Sequence, residues 1–269
     1  MELSINPSYL LRKRNSSIKR SCIECIKLCK DAGFRLIDFD LTASPGNIIC
    51  FDDWKERLYT IKEQINELSV NVDQAHAPFE FNNLENHGVM MGRAFEACKI
   101  LGVNHLVIHA DIYDKGDGEF NFDDALRIIY DFYAPFVEYA KKENIGVAIE
   151  NLFETSKDGT RTRFTSNVEE QLAIINKFND SIVTACWDFG HARVTYGDNQ
   201  LDALKKIGGL LSSTHVHDNI YGMDLHQNVF LGGTNWEEIM KYLKESKYKG
   251  NFTYELVYGC IPDDLLSKY

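Results

Sequence analysis

Six apolar runs in the chain close on a side chain that can hold a metal ion or move a proton. They are Gln74-Ala75-His76, Ile108-His109, Ile149-Glu150, Trp187-Asp188, Val216 between His215 and His217, and Tyr254-Glu255. Singly, each has an ordinary explanation: a histidine at a strand end usually closes a local hydrogen bond, and a lone carboxylate can cap the next helix. Together they ask for another. Burying several such groups unpaired is costly, and one divalent cation would offset that cost for several at once. The mixture of carboxylate and imidazole suits a divalent metal (Mn, Mg, Co or Zn), and Glu150, Asp188, His215 and Glu255, on four successive strands, form an arc for one such ion. His76 and His109 stand at strand ends as additional metal or substrate-binding residues.

Side chains this far apart meet only if the segments carrying them converge. Short β-rich runs over 1–6, 34–41, 70–77, 103–109, 146–150, 182–188, 211–217 and 251–256 alternate with helical periodicity over 17–32, 53–68, 88–101, 123–144, 167–178 and 199–207. That alternation predicts parallel βα units, and eight of them close a barrel whose strands end on one face. The expected fold class is α/β, a (β/α)8 TIM barrel, with residues 1–269 as a single domain.

Local chemistry agrees. Asp52 or Asp53, Asn121 or Asp123, Asn167 and Asn235 stand where helix N-termini need an acceptor. Gly33, Gly102 and Gly146 stand where a left-handed residue would turn a helix into the next strand, and Gly208-Gly209 ends the helix before the seventh. Cys22, Cys25 and Cys29 have a spacing a metal site could use, yet with Ile18 and Ile26 they share one helix face and read as core packing.

Composition narrows the function. The chain is 44% hydrophobic, without an apolar stretch approaching the ~20 residues a bilayer span needs. The polar opening MELSINPSYL predicts a cytoplasmic protein, and seven cysteines, an odd number, suit reduced thiols. A net charge of -11 disfavours nucleic acid as a partner. The basic cluster Arg12, Lys13, Arg14, Lys19 and Arg20 reads as a solvated loop and helix start.

The segments HAPFEF from 76, VIHA from 107, AIEN from 148, WDFGH from 187, HVHDN from 215, DLHQNVFLGG from 224 and YEL from 254 resemble the xylose-isomerase-like TIM-barrel superfamily. This superfamily holds sugar phosphate isomerases and epimerases and is related to apurinic endonuclease IV. The resemblance runs over nearly the whole chain. It implies a metal-dependent isomerase or epimerase acting on a carbohydrate or polyol, bare or phosphorylated, with Glu150 and Glu255 on opposite sides of the reacting carbon. It places His191 in the same pocket, and a homo-oligomer is compatible with it. Phe79, Phe153 and Trp187 read first as core aromatics and second as walls of a sugar site. Two alternatives come with the resemblance. His76, His109, Glu150, Asp188, His191, His215, Asp224, His226 and Glu255 also match, in order, the ligand set of a three-zinc phosphodiesterase of the endonuclease IV type. A polyol dehydratase would use the same acid, base and metal. The acidic charge, and the lack of an evident basic, aromatic-rich loop to grip a duplex, favour the carbohydrate.

Overall fold

Parity along the strands decides what the fold can position, because alternate residues face opposite sides of a sheet. The computed structural model describes residues 1–11, 19–42, 47–79, 84–115, 118–154, 160–220, 222–258, 261 and 265–266. Its strands are β1 (Leu3–Ile5), β2 (Leu36–Asp40), β3 (Asn71–His76), β4 (His105–Ile108), β5 (Gly146–Glu150), β6 (Val183–Asp188), β7 (Leu211–His215) and β8 (Phe252–Tyr254). Each falls inside a run expected from the sequence. They form one parallel sheet in the order β7-β6-β5-β4-β3-β2-β1-β8. The ends meet through a single bridge, Val216 to Tyr254, where Val216 N donates to Thr253 O at 2.7 Å and Glu255 N to Val216 O at 3.1 Å.

The helices are α1 (Cys22–Asp31), α2 (Trp54–Glu67), α3 (Leu84–Leu101), α4 (Phe122–Glu143), α5 (Val168–Phe178), α6 (Phe189–Tyr196), α7 (Gln200–Ile207) and α8 (Trp236–Glu245). Asn121, Asn167 and Asn235 cap as expected, accepting from the backbone N–H of Asp124, Glu170 and Glu238. Three expectations are corrected. α1 starts at Cys22 behind a reciprocal Ser21/Glu24 capping box, while residues 17 and 18 lie outside the described residues. Asp53 sits at the N-cap of α2 without capping it, because Arg57 Nε holds its carboxylate at 2.6 Å. Gly146 is extended; the left-handed residue closing α4 is Asn144, at φ 55°. Gly146 is needed for another reason, since a Cβ there would lie 2.3 Å from the His105 ring.

Cys25, Ile26 and Cys29 are buried and Cys22 is half-buried, as a packed helix face requires. Of the basic cluster, Arg12, Lys13 and Arg14 lie outside the described residues, and Arg20 donates to Leu10 O at 2.7 Å. No described helix is long and apolar enough to cross a membrane.

His87 on α3 is 4% exposed, stacks on Phe132 at 5.1 Å, and has its ring Nε2 3.4 Å from the Tyr133 hydroxyl. Burial pushes its pKa down to about 4. Between pH 6.5 and 4 the unfolded chain therefore binds a proton that the folded chain refuses, and stability falls as pH falls through that window, by up to about 1.4 kcal/mol per pH unit. His87→Phe should flatten this slope in urea midpoints measured across the window. An identical slope in both proteins would clear His87 of the effect.

Candidate metal centre

Glu150, the last residue of β5, is 1% exposed and faces four imidazoles. Its Oε2 lies 3.4 Å from His76 Nε2 and 3.2 Å from His109 Nε2. Its Oε1 lies 3.1 Å from His215 Nδ1 and 3.3 Å from His191 Nδ1. Burial alone would raise its pKa, but His215, His109 and His191 override burial and hold it well below the usual carboxylate range. The two imidazoles on Oε2 respond oppositely. Burial would lower both, yet Glu150 lifts His76 to about 9, while in His109 burial wins and the pKa falls to about 4.

Asp188 ends β6 and caps α6, accepting from His191 N at 2.6 Å, while His217 Nε2 lies 3.1 Å from its carboxylate. Burial opposes its ionisation, and His191 and His217 together bring its pKa below normal. His215, at the end of β7, has Asp188 Oδ2 3.9 Å from Nδ1 and Glu255 Oε1 3.7 Å from Nε2. All four residues expected to bind the metal are thus brought together around His215. Glu255 receives hydrogen bonds from Asn6 Nδ2 at 3.2 Å and the Tyr9 hydroxyl at 3.3 Å.

His76, His109, His191, Asp224 and His226 surround this core. Asp224 Oδ2 lies 3.4 Å from His226 Nε2 and 3.7 Å from His191 Nε2. These two imidazoles overcome burial and hold the Asp224 pKa far below normal. Three rings are oriented alike: Nδ1 of His76, His191 and His226 lies 2.9, 3.0 and 2.9 Å from a backbone carbonyl, of Ala77, Asn151 and Glu255 respectively. A ring donating from Nδ1 turns its Nε2 lone pair toward a cation, the arrangement common in metal sites.

The donor set fits a divalent cation. Ligand atoms within 4.8 Å of one another occur in the sets His76/Glu150/His215, Asp188/His191/His217, His217/Asp224/His226 and Asp38/His215/Glu255. Glu150 Oε2, His215 Nδ1, His217 Nδ1 and Asp38 Oδ1 are buried without a hydrogen-bond partner, and buried polar atoms of this kind call for an explanation such as an ion. Among the described residues, the sequence pattern marked His217 only as a metal-capable flank of Val216, outside the expected ligand set, and gave no role to Asp38, Asn6 or Tyr9. His217 is fully buried, stacks on His226 at 3.8 Å, and needs Gly190 beside it, where a Cβ would fall 1.8 Å from its ring.

Above this floor lies a cavity of about 1040 Å³, reached by Glu150, Glu255, His76, His109, His191 and His226, with Asp188 and His215 beneath. Phe79, stacked on His109 at 4.7 Å, and Phe153, 5.0 Å from His191, line it. Trp187 does not; it faces away from the lumen, fully buried and stacked on Tyr196. Among the described residues its lining also holds Asp40, Asp111 and Asp114 and one arginine, Arg163, whose Nε donates to Asp111 at 2.7 Å.

The profile of the family described as the xylose isomerase-like TIM barrel matches residues 26–267. A curated relative, the uncharacterized protein y4fM of Sinorhizobium fredii, is 24% identical over 171 residues, covering 62% of this chain and 51% of its own. The chain thus spans about half the length of the curated relative it matches. Among solved structures, the 3-keto-D-glucoside 4-epimerase YcjR of E. coli is 17% identical with a TM-score of 0.76, over 100% of this chain and 97% of that one. The IolI protein, crystallised with a zinc atom, is 16% identical with a TM-score of 0.77, over 100% and 94%. At such identities these two speak for the fold alone.

Proposed function

Since the chain belongs to the xylose isomerase-like TIM-barrel family, we propose that it is a metal-dependent isomerase or epimerase acting on a carbohydrate in the cytoplasm. One observation carries this reading: two carboxylates that open into one cavity, Glu150 and Glu255, stand at opposite ring nitrogens of His215, at 3.1 and 3.7 Å. A divalent metal held by Glu150, Asp188, His215 and Glu255 would polarise a substrate carbonyl and acidify the adjoining C–H. Glu255, oriented by Asn6 and Tyr9, would take that proton, and Glu150 would return one from the other side, supplied to its Oε2 by the His76 imidazole 3.4 Å away. His191 hydrogen-bonds a substrate hydroxyl, and Phe79 and Phe153 cover the apolar faces of the sugar. That YcjR is an epimerase of a keto-sugar and that IolI holds zinc support the reading.

A second reading has an observation in its favour. The His76/His109 pair on Glu150 Oε2 and the His191/His226 pair on Asp224 flank the central set, as a multi-zinc phosphodiesterase would require. The described lining residues argue against it: Asp40 and Asp114 would repel a phosphodiester, and Arg163 and Asp111 neutralise one another.

Metal analysis of gently purified protein, with assays on a ketose and polyol panel and on an abasic-site duplex, separates the two. We expect solvent hydrogen to enter a sugar in the presence of Mn²⁺, Mg²⁺ or Co²⁺. Three tightly held zinc ions with strand cleavage would replace this reading by the second, and dehydration of a polyol would make the enzyme a lyase.

A further inference from the structure

We propose that Asp38 is a positioning residue that holds His215 in the tautomer able to bind a cation through Nδ1; the inference rests on the metal site proposed above. Asp38 is fully buried on β2, in register with Gln74 of β3. Its Oδ2 lies 3.4 Å from His215 Nε2 and 3.5 Å from Asn6 Nδ2, and its Oδ1 has no hydrogen-bond partner. A fully buried carboxylate with an unpartnered oxygen is costly unless a neighbouring group makes use of it.

The imidazole supplies that use. Its Nδ1 faces Glu150 Oε1 at 3.1 Å and Asp188 Oδ2 at 3.9 Å, the side on which a shared cation would sit. A neutral ring carries one N–H, and the nitrogen that keeps it cannot coordinate. Coordination through Nδ1 therefore requires the hydrogen on Nε2 and an acceptor there. Two carboxylates face Nε2: Asp38 at 3.4 Å and Glu255 at 3.7 Å. Glu255 already accepts from Asn6 and Tyr9 and opens into the cavity, whereas Asp38 has no access to it. Gln74 Nε2, 2.9 Å from His215 Nε2, would donate to that nitrogen and favour the opposite tautomer. The Asp38 carboxylate opposes this, drawing the ring hydrogen to Nε2, after which the Gln74 amide can turn its oxygen to the same hydrogen. A carboxylate behind a ligating histidine also makes the ring a stronger donor to the metal.

Asp38→Asn keeps the side-chain volume and removes the charge. In calorimetric titrations of the chelator-stripped full chain with Mn²⁺ and Zn²⁺, we expect affinity to drop about 10- to 100-fold, the usual effect of losing such a partner, with the near-UV circular dichroism unchanged. Affinity within about threefold of wild type would overturn the assignment. A measurement on wild type guards against a variant that does not fold. Long-range ¹H–¹⁵N spectra of the Zn²⁺-loaded chain should show His215 protonated at Nε2 and metal-shifted at Nδ1, and coordination through Nε2 would overturn it equally. Failure of wild type to take up any divalent ion would overturn the metal site and this inference together, whereas normal uptake by both proteins would overturn the inference alone.

Discussion

Glu255→Gln is expected to slow exchange of substrate hydrogen with solvent by about 10²- to 10⁴-fold, the range supplied by a positioned acid or base. The amide oxygen can still occupy a ligand position, so bound metal should persist while proton transfer stops. Asn6 donates to Oε1 and Tyr9 to Oε2, so in the variant the amide oxygen can keep the Asn6 bond while its NH2, in the Oε2 place, donates to the Tyr9 hydroxyl oxygen instead. Exchange would be followed by deuterium incorporation into the product, with metal content measured on the same sample. Wild-type incorporation in the variant would reject Glu255 as the proton carrier.

Glu150→Gln should have the larger effect on the protein itself. The carboxylate is 1% exposed and is the common neighbour of His76, His109, His191 and His215. Losing its charge strands the buried imidazoles whose protonated form it supports, His76, His191 and His215, for which about 3–5 kcal/mol is the customary cost of breaking a buried pair. The sign with pH follows from the direction of its shift. A depressed carboxylate pKa contributes stability that is present above the unfolded value and is lost as pH falls through the folded one. The metal-free variant should therefore differ most from wild type near neutrality and converge on it in acid. Denaturant titrations at pH 7 and in strong acid, together with metal content after dialysis, test this; stability within about 1 kcal/mol of wild type at pH 7 and an undiminished ion content would show that Glu150 does not organise the centre.

Much of this centre could be read from the chain because the barrel translates strand ends into a circle. Glu150, Asp188 and His215 end β5, β6 and β7, and Glu255 directly follows β8, so locating the strands located the proposed ligands. Asp38 and His217 were harder. An aspartate in the middle of LIDFD can face either side of a sheet, and unlike Glu150, Asp188 and His215 it does not end its strand, so its position does not mark it out. His217 lies two residues past the end of β7, where strand parity no longer applies, and its burial depends on the missing side chain of Gly190. Helix α6 escaped notice because FGHARVTY has little apolar periodicity and follows β6 without a loop, started by the Asp188 carboxylate itself. Trp187 illustrates the converse. With Cys186 joining Val107 and Ala148 in a small separate apolar cluster and Asp188 joining the metal set, Trp187 between two such neighbours packs with the helices instead.

The single bridge between β7 and β8 has a bearing on how an ion would come and go. Every other neighbouring pair of strands shares a ladder of at least two residue pairs, whereas this junction has one. His215 and Glu255 stand on its two sides, so the join with the fewest rungs is also the one that two opposing ligands straddle. A closed ring of strands that breathes at its thinnest seam would part those ligands first, and an ion bridging them would act as a rivet.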